Sequence, residues 1–477
     1  MRYEWLVLTV TSIGTLMGGI DSRIIVVGLP TVAQQLHADP EQLVWVTQSY
    51  VLADTVCLLL VGRIGDLYGR VKMYNLGFMV FTIGSALSAF SADPFQLIGF
   101  RVFQGVGAAM IFTNSAAIIA DASPTKSLGL MLGINQMTLR GGSMLGLTLS
   151  GLILSLVDWR GLFYVNIPIG IFGTIWAYKR LHEISTKQIE KKLDWPGFAS
   201  FTVALSLILL GITFLGYGLS ETSEAYSFLI IGFVLMGVFV RIESRAKSPL
   251  LDLRLFKIKI FALANIAQFL NSVTWTGLVL LLAFYLQIGL GYNALLAGVA
   301  IIPVDLVYLV TTLFSSKLSD KYGSRMLSTT GLVVNVIGFL ALTAFSVSSS
   351  YLTIVIALVI FGLGNGLFNT PNTREIMSSV PPDRRGIASG LRSMMFNLGL
   401  TVSYGLVVVL ITIGIPYGIF TQLLEGTAAS PLVIAAARME FVNGFRIAAF
   451  VLALITAAAI IPSWMRGPRV KPTLSPA

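Results

Sequence analysis

Gly62-Arg63-Ile64-Gly65-Asp66-Leu67-Tyr68-Gly69-Arg70-Val71-Lys72 is a polar, basic stretch set between two apolar runs, Val44 to Val61 and Met73 to Phe90. Its glycines permit a tight turn, so it reads as the connection between two membrane-spanning helices. A related stretch, Ser315-Ser316-Lys317-Leu318-Ser319-Asp320-Lys321-Tyr322-Gly323-Ser324-Arg325, lies between two further apolar runs in the second half. A turn of one kind recurring in both halves marks an internal repeat.

Composition supports a chain that lives in lipid. Of 477 residues 55% are hydrophobic and only 11% charged, with a mean hydropathy of +0.84, far outside the range of a soluble domain. The single cysteine, Cys57, excludes an intramolecular disulfide and a thiolate metal cluster. The two histidines, His37 and His182, lie far apart without metal-ligand spacing, so no metal is expected. The first apolar run, Trp5 to Leu29, is too long for a signal-peptide core and reads as a retained first span.

Crossing a hydrocarbon core takes about 20 apolar residues. Fourteen runs qualify approximately, at 5–30, 43–64, 73–91, 94–120, 127–156, 160–178, 196–216, 226–242, 260–288, 294–316, 326–346, 351–375, 386–413 and 440–463. With the N-terminus inside, about 25 Lys and Arg fall in the cytoplasmic segments and about 2, Arg160 and Arg438, outside, which the positive-inside rule favours. The net charge of +10 is then a signal of topology, and no nucleic-acid partner is expected. The expected fold is an all-α polytopic membrane protein. Its fourteen helices form two pseudo-symmetric six-helix bundles, 1–180 and 260–477, with two extra helices and their linkers inserted at 181–259.

The Gly62 to Arg70 stretch resembles the signature loop of the major facilitator superfamily, and fourteen helices point to its drug:proton antiporter branch. Other stretches are similar to motifs of that branch: Asp21 to Pro30 in helix 1, Arg101 to Ala109 in helix 4 with its buried arginine, Gly142 to Gly151 in helix 5, and Trp159 to Gly170 leading into helix 6. Leu67 and Val71 replace cations of the family pattern, and Leu147 replaces the proline of the helix 5 antiporter motif. The resemblance implies a proton-coupled secondary transporter exporting amphipathic drugs or other lipophilic compounds by alternating access. Protons would be the coupling ion, with no cofactor. The protein would be a monomer in the plasma-membrane bilayer with both termini cytoplasmic. Transport of organic anions or lipid-like substrates, and a non-transporting receptor or scaffold, are the alternative readings.

An ionisable side chain at membrane depth costs at least about 2.5–3.5 kcal/mol, so each one is a candidate. Asp21, Arg23, Asp54, Arg101, Arg140, Asp305, Arg392 and Arg446 all lie inside apolar runs. Asp21 is either a proton-exchanging acid or one half of a permanent ion pair with an arginine of a neighbouring helix. Arg23, about 200° around the helix from Asp21, needs a separate partner or a wet cavity. Asp54 and Asp305 stand about 18 and 22 Å along their helices from Asp66 and Asp320, near the midplane where coupling sites lie, and are expected as cavity carboxylates or as structural pairs. By the resemblance Arg101 takes part in proton coupling. Arg140 and Arg446 either pair with acids or, with Arg23, make an anion-accepting cavity. Also by the resemblance, Gly62, Asp66, Gly69 and Arg70 form a conformational latch, with Asp66 against the start of helix 13 near Gly386 and Arg70 tethering it. Gly142, Gly146 and Gly151 form a stripe for close packing on helix 5.

Overall fold

The computed structural model describes residues 3–124, 128–184, 193–215, 222–246, 249–251, 253–380, 385–416, 418–420 and 431–467. Those residues are helical apart from short connections. In chain order the helices are α1 (Tyr3–Leu36), α2 (Pro40–Tyr68), α3 (Arg70–Ala89), α4 (Pro94–Ala122), α5 (Leu128–Leu156), α6 (Gly161–Tyr164), α7 (Asn166–Arg180), α8 (Trp195–Leu215) and α9 (Thr222–Arg245). They continue as α10 (Lys259–Phe284), α11 (Ala294–Tyr322), α12 (Ser324–Leu342), α13 (Tyr351–Ser378), α14 (Arg385–Gly414) and α15 (Pro431–Trp464). The short α6 leads directly into α7.

Helix starts follow local chemistry. Pro94 opens α4, where the Asp93 carboxylate accepts from the Gln96 backbone N–H at 2.9 Å, and the Asn293 side chain does the same for Leu296 of α11 at 2.8 Å. Both satisfy donors that a helix start leaves without partners. Along the outward faces apolar side chains stay exposed, among them Ile230, Phe233 and Val234 of α9 and Leu352 of α13. Such a surface is costly in water and favourable against lipid tails.

Among the described residues twelve helices are long and apolar enough to cross a membrane. The set omits α2 and α3, the two helices flanking the Gly62 to Lys72 turn.

Contacts repeat along the chain. In the first part α1 packs on α5, α2 on α4, and α3 on α4 and α7; in the second part α10 packs on α14, α11 on α13, and α12 on α13 and α15. The same correspondence governs the seam between the parts, where α5 meets α11 and α2 meets α14. The α8–α9 pair packs on itself and through α8 against α14 and α2. The turns match as well. A single residue, Gly69 at φ 116°, separates α2 from α3, and Gly323 at φ 85° separates α11 from α12. A side chain rarely tolerates either backbone angle.

At the seam a Cβ on Gly298 of α11 would overlap the Leu147 carbonyl oxygen of α5. The Gln287 amide donates to the Val27 carbonyl at 3.3 Å. Both contacts lie toward the end of the bundle opposite the Gly69 and Gly323 turns, so the two parts meet closely there.

Candidate functional site

Asp21, on α1, is fully buried and accepts three hydrogen bonds. Arg101 Nη1 of α4 donates to its Oδ2 at 2.8 Å, while Gln104 Nε2 and Asn166 Nδ2 donate to Oδ1 at 2.9 and 2.8 Å. Arg101 itself donates through Nε to the Val46 carbonyl at 3.2 Å and through Nη1 to Gln104 Oε1 at 2.8 Å. Its guanidinium also sits 4.1 Å from the Tyr50 ring centroid. This knot joins α1, α2, α4 and α7, and in this conformation Asp21 and Arg101 form a buried ion pair. A buried pair contributes net stability only when its remaining donors and acceptors are satisfied, and Gln104, Asn166 and the Val46 carbonyl do that here.

The second part has a buried polar cluster built from amides. Asn271 of α10, Asn335 of α12 and Asn365 of α13 form a closed amide ring: Asn271 donates to Asn365 at 3.1 Å, Asn365 to Asn335 at 3.3 Å and Asn335 to Asn271 at 3.4 Å.

A second group of charges is differently placed. Asp54 of α2 accepts from Asn397 Nδ2 of α14 at 2.8 Å, across the seam, and its Oδ1 is buried without a partner among the described residues. Asp305 of α11 is 2% exposed and its Oδ2 likewise has no partner among the described residues. The groups acting electrostatically on Arg23 of α1 are Asp305, Arg140 and Tyr404, and those acting on Arg392 of α14 are Tyr308 and Arg140. Arg140 of α5 lies 4.7 Å from the Tyr308 ring centroid, and Tyr308 in turn packs 6.1 Å from Trp275. Among the described residues Arg23 Nη1 and Arg392 Nε are buried without hydrogen-bond partners. Tyr404 also borders a small apolar cleft of about 10 Å³, lined further by Leu29, Val44, Leu280, Phe284 and Val408. Three arginines and two carboxylates from five helices thus converge on the seam.

Arg446 stands in a separate setting, donating through Nε to the Phe345 carbonyl at 2.7 Å. Around the signature loop, Gly69 lies beside Glu183, whose carboxylate accepts from the Arg70 and Val71 backbone N–H at 2.9 and 3.1 Å and so caps α3. Arg70 Nη1 contacts both oxygens of Asp121 at 2.7 and 2.8 Å. Gly62 faces Thr113 of α4, with 3.1 Å available to a Cβ. The side chain of Asp66 lies outside the described residues, so its expected seat near Gly386 does too. On α5, a Cβ on Gly142 or Gly146 would run into the α1 carbonyls of Leu16 or Ile20; Gly151 is buried, and Gly141 faces open space.

Tyr50, Tyr308 and Trp275 are visible in the sequence as aromatics that could line a cavity or simply pack, whereas Gln104, Asn166, Asn397 and Tyr404 join these groups without having been singled out. Gln104 carried a legible signal, since it sits one turn from Arg101 on the same helix face. Asn166 is a lone amide in an apolar run. Asn397 had no signal, because only the seam brings it to Asp54.

A helical, lipid-facing bundle with unpaired charges at an internal seam is the architecture of a membrane transport protein. The chain belongs to the Major Facilitator Superfamily, whose pattern it matches over residues 11–404 and again over 264–476. It is a transporter and not an enzyme. It is 30% identical over 406 residues to the riboflavin transporter RibZ of Clostridioides difficile, covering 84% of this chain and 87% of that one. It is 30% identical over 454 residues to the cephamycin export protein CmcT of Amycolatopsis lactamdurans, covering 94% and 90%. The multidrug efflux pump LfrA of Mycolicibacterium smegmatis is 28% identical, covering 83% and 79%. In fold it is similar to an inward-facing bacterial homologue of the lysosomal transporter Spinster, with a TM-score of 0.65 at 15% identity, covering 98% of this chain and 97% of that one. It is equally similar to the D-xylose-proton symporter, with a TM-score of 0.65 at 14% identity, covering 98% of each.

Proposed function

We propose that this transporter exports amphipathic organic compounds in exchange for protons, by rocking two six-helix bundles about the seam. The observation that carries the reading is the Asp54–Asn397 hydrogen bond at 2.8 Å. It links the two parts through a carboxylate whose other oxygen has no partner among the described residues. Rocking must break that bond, and an oxygen without a donor can itself take a proton, so the protonation of Asp54 is tied to which way the seam opens. Asp305, beside Arg23 of the other bundle, has the same character. Asp21 does not, because all its partners lie within one bundle; we assign it a structural role in this conformation. Relatives bearing the names multidrug efflux pump and cephamycin export protein favour export of drug-like compounds.

We further propose that α2 and α3 also cross the membrane. At 1.5 Å per residue their 29 and 20 residues extend about 43 and 30 Å, enough for a hydrocarbon core. Fourteen spans then divide as 1–180, 181–259 and 260–477. The distribution of cations orients both termini and both glycine turns toward the cytoplasm of a plasma membrane. On that orientation the close contact at Gly298 seals the outer side, the protein is inward-facing, and it works as a monomer.

Proteoliposomes holding a pH-sensitive dye test the reading when challenged with one cationic and one anionic drug. Substrate-dependent proton movement that Asp54→Asn abolishes is expected. Accumulation of a drug with no proton movement at any imposed pH gradient would overturn proton exchange.

A further inference from the structure

The seam holds more positive charge than negative. Arg23, Arg140 and Arg392 reach it from α1, α5 and α14; among the described residues Asp305 is the carboxylate acting on Arg23, while Asp54 is engaged by Asn397. Among the described residues Arg23 and Arg392 keep buried nitrogens without hydrogen-bond partners, although neither residue as a whole is fully buried. A fold that only needed stable packing would pair these guanidiniums, as it pairs Arg101 with Asp21 at 2.8 Å. Guanidinium groups present fixed forks of donors that match a carboxylate or a sulfonate. The Tyr308 and Trp275 rings beside Arg140 place flat aromatic surface next to those forks.

We infer that Arg23, Arg140 and Arg392 form an anion subsite, and that the transported compounds are aromatic or lipophilic anions whose acidic group sits among these three guanidiniums while the ring body lies toward Tyr308 and Trp275. The subsite rests on the transporter reading above and specifies its substrate class. Asp305 occupies the same electrostatic field as a resident carboxylate, so it competes with the ligand's acidic group for Arg23. That competition gives the subsite a signature that a purely structural arginine cluster lacks: removing the Asp305 charge should tighten anion binding.

The test uses the full-length protein in nanodiscs and three nearly isosteric probes: naphthalene-1-acetate, its neutral amide, and the cation 1-naphthylmethylammonium. Equilibrium binding should rank the acetate about tenfold or more above the other two, the value of a charge-assisted contact in a desolvated site. Arg392→Gln and Arg23→Gln should each weaken the acetate about tenfold and leave the amide within about twofold, whereas Asp305→Asn should strengthen the acetate severalfold. Asp305→Asn removes a charge without adding bulk, so it carries the test if the arginine variants do not fold. The ammonium binding best, the three probes binding alike, or Asp305→Asn weakening the acetate would each overturn the subsite. Proton movement driven by the amide or the ammonium, with no preference for the anion, would overturn the subsite and leave the exporter standing. Saturable acetate binding without any transport or proton movement would do the reverse.

Discussion

Asp21 and Arg101 are a pair in which neither partner can be lost alone. Each side chain is 1% exposed and lies 2.8 Å from the other, so Asp21→Asn leaves a buried guanidinium without a counter-charge, at a cost of about 3–5 kcal/mol. Thermal unfolding in detergent should show that loss, and Asp21→Asn combined with Arg101→Gln should recover part of it. A single variant as stable as the parent would show that the pair is not structural. Asp54 and Asp305 differ, because neither makes an ion pair among the described residues. Their asparagine variants should fold normally and lose coupling, checked by a normal melting transition alongside absent substrate-driven proton flux. The sequence named Asp21 and Arg101 as candidates, since a charge in an apolar run is visible in a string of letters. It left Asp21 open between a proton carrier and an ion pair, because that choice depends on Gln104 and Asn166 arriving from two other helices.

Among the elements, the single-residue turns have separable costs. Gly69 and Gly323 both hold positive φ, at 116° and 85°, and forcing an L-residue into such backbone costs on the order of 1–3 kcal/mol. Only Gly69 has a neighbour in the way: its Cβ would stand 2.6 Å from Glu183 Oε2, whereas nothing lies within 4 Å at Gly323. Gly69→Ala should therefore destabilise more than Gly323→Ala, as measured by denaturation of the two variants side by side. Glu183→Ala should release the start of α3, seen as faster hydrogen exchange at Arg70 and Val71 and a stability loss of about 0.5–1 kcal/mol for this exposed cap. The repeat of the turn was legible in the spacing of glycine, acid and base. The Glu183 cap was not, since it comes from 113 residues beyond Arg70 through the docking of α7 on α3.

For the whole molecule, α5 and α11 approach closely at the end of the seam opposite the glycine turns, the end that the proposed cycle keeps shut in this conformation. Gly298→Leu would place a side chain against the Leu147 carbonyl and push the helices apart there. Spin labels at Ala92 and Ser348, on connections at that end in the two parts, should report a longer distance in this variant than in the parent. An unchanged distance would show that the contact does not hold that end shut. The repeated bundles and their helical character follow from apolar runs and a recurring turn, so sequence reached them. The seam escaped it because no local pattern records which helices of one bundle face the other, and Arg392 entered the candidate charges without an assigned role for that reason.

The charged knot of the first part and the neutral amide ring of the second impose different demands during synthesis. Asp21 leaves the ribosome 80 residues ahead of Arg101, so α1 must reside in the bilayer or its insertion machinery with an uncompensated acid until α4 follows, a penalty of about 2.5–3.5 kcal/mol. The amides of Asn271, Asn335 and Asn365 bring no formal charge to wait for a counter-ion. Biogenesis should therefore be most fragile at its outset, with truncated chains ending before α4 held back or degraded and those ending after it retained.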